Sequence, residues 1–584
     1  MGAWIAIVLA GAVAVIMAFA LIGSFASGQS SGLEKDSVLR ITLDGTLEER
    51  ESSPRFDFSS VLAGQGESVH TVETLVAAIK EAKVNDKVRA IYLDCQGMSG
   101  APASFHAVRE ALVDFRQSKK KIYAYADSYS QGDYMLASAA DEIVMNPAGA
   151  VSLTGLGGAS LFYKGFLDNI GVEIQAVRVG KGKAAVEPYT ATEMSEVARS
   201  QSMALFDTLW LGMRQEISNP SRGLTPAEID TLISRDLVSL KPAKFALDKK
   251  LVTALEYRHR YEDKIAKACG QKDGLDKVIS PKELVSATGT PMFEANADNQ
   301  VAVLYACGGI DDFMGSGGIN SAEIVDEVLA LAKNDKVKAL VLRVNSPGGS
   351  AYGSEQMWEA LETFKKTGKP FVVSMGDYAA SGGYYISSGA QRIFADKFTI
   401  TGSIGIFGLI PNVNGLLKKL GLNPQMVATN PDAMFPNMFY PLTDRQLEAM
   451  QQMVQSGYEL FVKRCADGRH TTVAKMEQIA DGRPLAASVA LSYGLVDELG
   501  SLDKAIAYAA AQAKLKKWHA VAYPNVGNAF ESFMKNLEKQ GELMNAFSAS
   551  ASDPARMLEP VLSTMRRLQG RGALQMSMPT YSFF

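Results

Sequence analysis

Apolar and polar positions alternate along most of the chain in a pattern that predicts βαβ units. Short runs of Val, Ile and Leu are separated by segments of roughly ten to fifteen residues with helical spacing of apolar positions. Strands that alternate with helices in this way form a mainly parallel sheet covered by helices, so an α/β fold is predicted. In the second half of the chain the predicted strands are Val301–Ala306, Ala339–Val344, Phe371–Met375 and Ile393–Ala395.

One apolar run is too long for a strand. Ala3–Phe25 contains no charged residue, and a membrane-spanning helix needs about 20 apolar residues, so we predict an N-terminal transmembrane anchor within residues 1–28. A cleaved signal peptide is the alternative, with small residues near Ala20–Ser27 as cleavage sites. The length of the run and the missing positive region before it favour the anchor.

The chain contains an internal duplication. The sequence NDKVRA at 85–90 returns as NDKVKA at 334–339, and a strand-like run follows each copy. A helical pattern precedes each copy, at Val72–Ala82 and Ala322–Ala332. The same register aligns later segments over more than 100 residues, among them DSYSQGDY from Asp127 with DYAASGGY from Asp377.

This duplication sets the predicted domain organisation. We expect two copies of one domain, at 36–290 and 299–515, after the anchor. Residues 516–584 form a C-terminal extension, in which a polar stretch at Ser548–Pro554 precedes a short basic segment with Arg566, Arg567 and Arg571. We expect this extension to be flexible or peripheral.

Composition excludes several classes of function. Apolar residues make up 47% and charged residues 21%, with a formal net charge of -4, so the chain is globular and nothing indicates a nucleic-acid partner. The four cysteines are scattered and the five histidines are not clustered, so neither a metal site nor a disulfide framework is predicted. No histidine stands in a glycine-rich context, which disfavours a histidine-based nucleophilic site.

A serine in the second copy is a candidate nucleophile. The strand Phe371–Met375 is followed by GDYAASGG at 376–383 and then by a helical pattern. Ser381 would lie at the start of that helix, where the N–H of Gly382 is free to face a developing oxyanion. The alternative is that Ser381 is an ordinary N-cap residue.

A glycine-rich loop, NSPGGS at 345–350, follows the strand Ala339–Val344. The carboxyl ends of parallel strands meet at one edge of a sheet, so this loop and Ser381 are expected to be neighbours. Gly348 or Gly349 could supply a second N–H to an oxyanion. A plain turn between strand and helix is the alternative.

The two copies have lost complementary residues. Ser381 aligns with Gln131, so the first copy has no nucleophile, and PGG at 347–349 aligns with MSG at 98–100. Lys183 aligns with Ala433, so the second copy has no lysine there. Each copy keeps what the other lacks, which predicts one composite site. Whether the two residues meet within one chain or across a subunit boundary is left open by the sequence.

Four motifs resemble the signal peptide peptidase A (protease IV) family in its long, tandem bacterial form. They are NSPGGS at 345–350, AASGGYYIS at 379–387, TGSIGIFG at 401–408 and VGKGKAAVEP at 179–188. The resemblance covers essentially the whole chain. It implies two tandem Clp protease/crotonase-like domains and an active site that needs no cofactor.

The resemblance also assigns roles to residues. Ser381 matches the nucleophile, Lys183 the general base, Gly382 and Gly348 the oxyanion positions, and Ser403 the residue that orients the lysine. Lys181 is the rival base. A lysine must lose its proton to act as a base, and burial can lower its pKa to roughly 7–8. A carboxylate would oppose this, so Glu187 is expected to face away from Lys183 or to pair elsewhere.

The implied function is that of a membrane-anchored serine endopeptidase that degrades cleaved signal peptides and other short, unfolded, apolar peptides. The resemblance implies a homotetramer at the bacterial inner membrane, with the catalytic part on the periplasmic side. No phosphate-binding loop of the form GxxxxGK[ST] occurs, so ATP-driven unfolding is not expected. A crotonase-like acyl-CoA enzyme and a non-enzymatic membrane scaffold are the alternatives.

Overall fold

The computed structural model describes residues 33–50, 68–288, 298–311, 318–524 and 574–577, the last as backbone only. The predicted anchor at Ala3–Phe25 lies outside these ranges. Among the described residues, no helix is both long and apolar enough to cross a bilayer.

Strands and helices alternate through both copies. The strands are β1 Ser37–Leu43, β2 Thr46–Glu48, β3 Val69–Thr71, β4 Val88–Cys95, β5 Lys121–Ala126, β6 Glu142–Met145, β7 Glu173–Val179, β8 Ala254–Leu255, β9 Val278–Ile279, β10 Gln300–Cys307, β11 Ile310–Asp311, β12 Ile319–Asn320, β13 Val337–Ser346, β14 Gly348–Ser350, β15 Phe371–Ala380, β16 Arg392–Ala395, β17 Ile400–Gly402, β18 Ile406–Asn412, β19 Pro484–Ala486, β20 Glu498–Leu499, β21 His519–Tyr523 and β22 Leu574–Ser577. The α-helices are α1 Val72–Val84, α2 Pro102–Phe115, α3 Gln131–Ala137, α4 Lys164–Ile170, α5 Glu187–Thr190, α6 Glu196–Ile217, α7 Pro226–Ser234, α8 Ala243–Asp248, α9 Arg258–Ala268, α10 Pro281–Thr288, α11 Ser321–Lys333, α12 Ala351–Lys366, α13 Gly382–Ser387, α14 Asn414–Lys419, α15 Asp444–Gly468, α16 Val473–Glu477, α17 Ala487–Ser492 and α18 Leu502–Gln512.

The two predicted helices that precede the NDKV repeats form for the same local reasons. In α1 the Thr71 hydroxyl caps the first turn by accepting the N–H of Thr74. In α11 the side chain of Asn320 caps the first turn in the same way. Apolar residues at helical spacing, such as Ile324, Val328 and Leu331, are buried. The sequence prediction of these helices is confirmed.

The duplication appears as two sheets with the same strand order. The first sheet runs β8-β6-β5-β4-β1-β9 and the second contains β20-β16-β15-β13-β10-β21, all paired in parallel. The predicted mainly parallel α/β architecture is therefore confirmed. The central strands are largely buried, as their continuous apolar sequences require; they are β1, β4 and β5 in the first sheet and β10, β13 and β15 in the second.

Two expectations need correction. The third predicted strand does not end at Met375 but continues to Ala380, directly before Ser381. The residues after 515 are not all peripheral, since β21 pairs in parallel with β10, as β9 pairs with β1 in the first copy. Short strands at sheet edges gain stability from main-chain hydrogen bonds, which composition does not reveal.

A third sheet, of order β12-β11-β14-β22-β18-β7, joins the two copies. Strand β7 belongs to the first copy but pairs antiparallel with β18 of the second copy, from Val179 opposite Ile406 to Glu173 opposite Asn412. This pairing carries the chain that follows β7 to the carboxyl-end edge of the second sheet. The predicted composite site depends on it.

Candidate active site

Ser381 occupies a one-residue corner between β15 and α13. Its backbone has φ 55° and ψ −115°, a conformation that costs a non-glycine residue about 1–3 kcal/mol. Its side chain makes no capping hydrogen bond to the helix, so the N-cap alternative is wrong. The strained corner instead turns a fully buried hydroxyl toward the segment that follows β7.

Lys183 meets this hydroxyl within one chain. Its Nζ lies 2.7 Å from Ser381 Oγ, 2.9 Å from the carbonyl oxygen of Ser403 and 3.0 Å from Ser403 Oγ. Lys183 is only 1% exposed. The structure thus answers the question that the sequence left open, because both side chains come from the same chain.

Burial alone perturbs the amine of Lys183. Removal from water lowers the pKa of Lys183 to about 7. Desolvation penalises the charged form, and the hydrogen bonds of Nζ to Ser381 and Ser403 are with hydroxyl and carbonyl oxygens rather than with carboxylates. A large fraction of the amine is therefore neutral near pH 7.

Ser403 is fixed on the other side of the amine. It has a positive φ of 53°, and its hydroxyl donates to the carbonyl oxygen of Gly482 at 3.0 Å. Since that proton is committed, Ser403 Oγ faces Lys183 as an acceptor. Its partner Gly482 was not predicted, because nothing in the local sequence links 482 to 403.

The loop that carries Lys183 rests on the same segment of the second copy. The N–H of Gly182 donates to the carbonyl oxygen of Asp481 at 2.7 Å. A Cβ on Gly482, which has φ +94°, would lie 2.8 Å from the Lys183 backbone nitrogen. This close approach requires glycine at 482 and positions the lysine main chain against the second copy.

The positions of Glu187 and Lys181, the charged neighbours of Lys183 in sequence, are compatible with a neutral amine on Lys183. Glu187 accepts from the hydroxyl of Ser195 at 2.8 Å and from its N–H at 3.1 Å, so the expectation that Glu187 pairs elsewhere is confirmed. Its carboxylate also lies 3.8 Å from Arg178 Nη1. Lys181, the rival base, is exposed to solvent, whereas Lys183 contacts Ser381.

The two predicted oxyanion positions are adjacent in space. A Cβ on Gly382 would lie 3.3 Å from Gly348 Cα and 2.7 Å from Ser354 Oγ, so Gly382 approaches the glycine-rich loop more closely than a residue with a side chain could. Gly382 is the first residue of α13, and its N–H therefore has no acceptor within the helix. The N–H of Gly348 donates to the buried Ser346 hydroxyl at 3.2 Å.

A buried polar cluster behind the site was missed by the sequence analysis. Asp377 accepts from both the N–H and the hydroxyl of Ser104, at 2.8 and 2.7 Å, and from Asn345 Nδ2 at 3.1 Å. Burial raises the pKa of Asp377 above its usual value. The cluster ties the first copy to β15, the strand that precedes Ser381, and to the glycine-rich loop. The only sequence signal was the alignment of Asp377 with Asp127.

The first copy has a cleft at the equivalent position but lacks the serine. A cleft of about 1030 Å³ lies at the position equivalent to the Ser381 site and is lined by Ser99, Ser130, Gln131 and Thr154, among others. The Gln131 side-chain oxygen accepts the N–H groups of Thr154 and Gly155, at 3.1 and 3.0 Å. A carboxamide thus stands where the second copy has its serine. Within the described ranges, no group of three or more His, Cys, Asp or Glu is placed to hold a metal ion.

Comparison with known proteins agrees with this architecture. The model of peptidase family S49 matches the chain twice, at residues 114–272 and 363–516, and a Clp protease model matches residues 316–396. The chain is 35% identical to "Protease 4" of Salmonella typhi over 85% of its length and 80% of that protein. It is 34% identical to "Protease 4" of Haemophilus influenzae, over 84% and 82% of the two chains. It is also 26% identical to "Serine protease SPPA, chloroplastic" of Arabidopsis thaliana, over 83% and 70%.

Proposed function

The chain belongs to peptidase family S49 and is a serine protease, and we propose that Ser381 and Lys183 form its catalytic dyad. The observation that carries this proposal is the 2.7 Å contact between a fully buried serine hydroxyl and a lysine amine whose pKa is lowered to about 7. The acyl-CoA enzyme and the scaffold considered from the sequence are both wrong, since the family is one of peptidases.

The hydrogen bonds around Nζ support a defined direction of proton transfer. A neutral amine has two N–H donors and one lone pair. The carbonyl oxygen and Oγ of Ser403 accept the two N–H groups. The lone pair then faces the Ser381 hydroxyl and accepts its proton as Oγ attacks a peptide carbonyl. Ser403 thereby acts as a positioning residue for the base.

We assign the oxyanion to the N–H of Gly382 and to an N–H of the glycine-rich loop. Gly382 directly follows the nucleophile, so its N–H points to the same space as Ser381 Oγ. Gly348 supplies the second donor if its contact to Ser346 opens, and Gly349 is the neighbouring choice. Preorganised donors of this kind stabilise the tetrahedral intermediate in a water-poor site.

The proposed substrates are short, unfolded, apolar peptides, of which cleaved signal peptides are the expected class. Three features support an extended peptide rather than a folded protein. The dyad is buried, the site lies between the short strand β14 and the strand β18, and both strands belong to one sheet. A peptide that enters as an added strand gains main-chain hydrogen bonds whatever its sequence.

We further propose that Ala3–Phe25 anchors the chain in the bacterial inner membrane, with the catalytic copies outside the cytoplasm. The uncharged run is long enough to span a bilayer. Fractionation of cells expressing the full chain, with protease accessibility from the periplasmic side, tests both points. Recovery of the whole protein in the soluble fraction would contradict the anchor.

The proposed assembly is a homotetramer. Large apolar side chains are exposed in the segments that flank β7 and β18, including Phe166 at 63% and Val427 at 96% exposure. Such side chains are expected to be covered in the assembly. Native mass spectrometry of the detergent-solubilised chain tests this, and a stable monomer would contradict it.

The dyad is tested with the full chain and three variants, using hydrolysis of a short apolar fluorogenic peptide. Ser381→Ala and Lys183→Ala should each abolish turnover while the unfolding transition is retained. Lys181→Ala is the matched control, because Lys181 is exposed two residues from the base, and it should keep wild-type activity. Full activity in Lys183→Ala would overturn the proposed base.

A further inference from the structure

The cleft of the first copy has the size and the walls of a peptide-binding groove. Its volume of about 1030 Å³ lies at the upper end of the range of ligand clefts, roughly 300–1,000 Å³. One wall is the segment Gln96–Ser99, which directly follows β4, and the opposite wall contains Ser152 and Thr154. The lining is mostly polar, so a ligand is expected to bind there through hydrogen bonds and charge.

The wall Gln96–Ser99 is built like the glycine-rich loop of the second copy. Ser99 pairs in parallel with β2, as Gly349 pairs in parallel with β11. On its other side, β14 of the glycine-rich loop pairs antiparallel with β22. Within the described ranges, no strand pairs with the corresponding side of residues 98–100. This edge of the first copy can therefore accept an extended peptide as an added strand.

The pairing of β14 with β22 indicates the direction of such a peptide. Ser577, the last residue of β22, lies opposite Gly348, the first residue of β14, so β22 runs toward the end of β13. Strand β13 has the place in the second sheet that β4 has in the first. A peptide bound in the same direction in the first copy carries its C-terminal end toward the end of β4.

Two arginines line the cleft at that end of β4. Asp94 is completely buried and accepts from Arg40 Nε and Nη2, at 3.2 and 2.5 Å, and from Arg258 Nη1. This shared carboxylate fixes both guanidinium groups. In the part of the chain that the structure describes, Arg40 Nη1 and Arg258 Nε make no hydrogen bond. Each arginine therefore keeps a donor for a carboxylate ligand.

Two further acidic groups lie beside the arginines. Arg258 Nη2 donates to Asp127 at 3.3 Å, and Arg40 Nη2 lies 3.5 Å from Glu262. The Asp127 side chain is 64% exposed, so water and salt screen its charge. Asp94 is sealed beneath the guanidinium groups and cannot itself contact a ligand. The arginine donors are thus the charged groups best placed to meet the end of a bound peptide.

The cleft has lost the groups that would cut such a peptide. Gln131 stands in the place of the nucleophile, and its side-chain oxygen is bonded to the N–H groups of Thr154 and Gly155. The N–H of Gly97 donates to the buried carboxylate of Asp133 at 2.9 Å, so it is not available to an oxyanion. A peptide held in this cleft stays uncut.

We propose that the first-copy cleft binds the C-terminal end of an extended peptide and holds its terminal carboxylate with Arg40 and Arg258. This inference rests on the peptide substrates proposed above and adds a second site for them. A signal peptide that has been cleaved ends in a free α-carboxylate, whereas in the uncleaved precursor the chain continues. The cleft therefore selects released peptides and raises their local concentration near Ser381.

Isothermal titration of the full chain in detergent tests the inference. The protein is Ser381→Ala, which leaves peptides intact, and the probes are an apolar peptide with a free C-terminal carboxylate and the same peptide as its C-terminal amide. The acid should bind at the cleft and in the groove beside residue 381, two molecules per chain. The amide should bind only in that groove, one molecule per chain.

Three further substitutions, each combined with Ser381→Ala, locate the second site. Arg258→Gln should weaken binding of the acid at the cleft at least about tenfold, because a charged hydrogen bond is lost. Ser152→Trp fills the cleft from an exposed position, leaves the Asp94 contacts intact and should reduce the acid to one molecule per chain. Arg260→Gln is the matched control. Arg260 lies in the same helix, is 64% exposed and does not line the cleft, so both sites should remain.

The outcomes separate this inference from the proposed dyad. Equal stoichiometry of the acid and the amide in Ser381→Ala overturns the carboxylate site, and so does a second acid molecule retained in Ser152→Trp. Neither result depends on turnover. Hydrolysis of the short apolar fluorogenic peptide by the wild type tests the dyad separately, and its loss would contradict the proposed function without changing the titration result.

Discussion

At the residue scale, the site depends on two serines held in a positive-φ conformation and one buried lysine. Ser381 and Ser403 have φ of 55° and 53°, and Lys183 Nζ lies between their hydroxyl groups. Such backbone strain persists only where the surrounding structure holds it in place. The corner at Ser381 is held by its N–H, which donates to the Gly402 carbonyl oxygen at 2.8 Å.

The pH dependence of turnover should follow the amine of Lys183. Because its pKa is lowered to about 7, kcat/KM for a short peptide should rise with pH through about 7 and level off above it. A pH–rate profile between pH 5 and 9 measures this. An activity limited by an unperturbed lysine would still be rising at pH 9, which would contradict the proposed burial effect.

The same pKa makes stability depend on pH. The pKa of Lys183 is about 7 in the folded chain, against the ordinary lysine value of 10.5 in the unfolded chain, so between these pH values the unfolded chain binds more protons and stability rises with pH. Lys183→Met has no titrating amine at this position and so lacks this pH dependence. Its stability relative to the wild type should therefore be most favourable at pH 7 and fall toward pH 10, by up to about 1.4 kcal/mol per pH unit.

Urea unfolding of both proteins at pH 7 and pH 9.5 measures that difference. Lys181→Met is the control, because the exposed Lys181 side chain should contribute no comparable pH dependence. A constant difference between Lys183→Met and the wild type at both pH values would show that the amine is not desolvated.

At the element scale, the pairing of β7 with β18 brings Lys183 to Ser381. Lys183 lies four residues after Val179, the end of β7, and Ser403 lies three residues before Ile406, the start of β18. The antiparallel register that places Val179 opposite Ile406 therefore places these two residues side by side. The segment 481–483 packs against the loop that carries Lys183, through Asp481 and Gly482.

Gly482→Ala tests this support. Gly482 has φ +94°, and an added Cβ would meet the Lys183 main chain at 2.8–3.1 Å, so Lys183 must shift. We expect kcat to fall at least about tenfold, since small displacements of a catalytic group are costly. KM should change little, because the strands that bind peptide are untouched.

Gly494→Ala is the matched control for that variant. Gly494 also has a positive φ, of +73°, but an added Cβ would meet nothing within 4 Å. It should lose some stability from backbone strain and keep its kcat. Equal kcat values for the two alanine variants would contradict the proposed support of Lys183 by Gly482.

At the scale of the whole molecule, buried charged groups join the two copies. Glu49 of the first copy accepts from Arg343 Nε and Nη2 of the second, at 2.8 and 2.9 Å. Arg343 also donates to the hydroxyl of Ser374 and the carbonyl oxygen of Met375 on β15. With the Ser104–Asp377 contacts, this pair holds the first copy against β15, the strand that precedes Ser381.

Glu49→Ala should destabilise the protein by about 3–5 kcal/mol, because it leaves the buried guanidinium of Arg343 without its carboxylate. Lys80→Ala is the control. Lys80 also bridges the copies, to Asp503, but both side chains are largely exposed, so its loss should change the free energy of unfolding little. Urea unfolding measures both, and similar small losses would contradict the importance of the buried pair.

The sequence by itself determined the architecture and named the site residues. Periodic apolar runs predicted the α/β strands and helices, because local burial patterns repeat with the geometry of each element. The repeat at Asn85 and Asn334 predicted the duplication, and two sheets of the same order confirm it. Complementary losses at Gln131 and Ala433 led to Ser381 and Lys183.

Only the tertiary structure decided how those residues meet. Lys183 and Ser381 are 198 residues apart, and their contact depends on the register of β7 against β18. The Gly482 carbonyl, the Ser104–Asp377 contacts and the strand Leu574–Ser577 had no signal in local periodicity. They arise from long-range hydrogen bonds and close main-chain approaches, and these are properties of the folded packing rather than of any one segment.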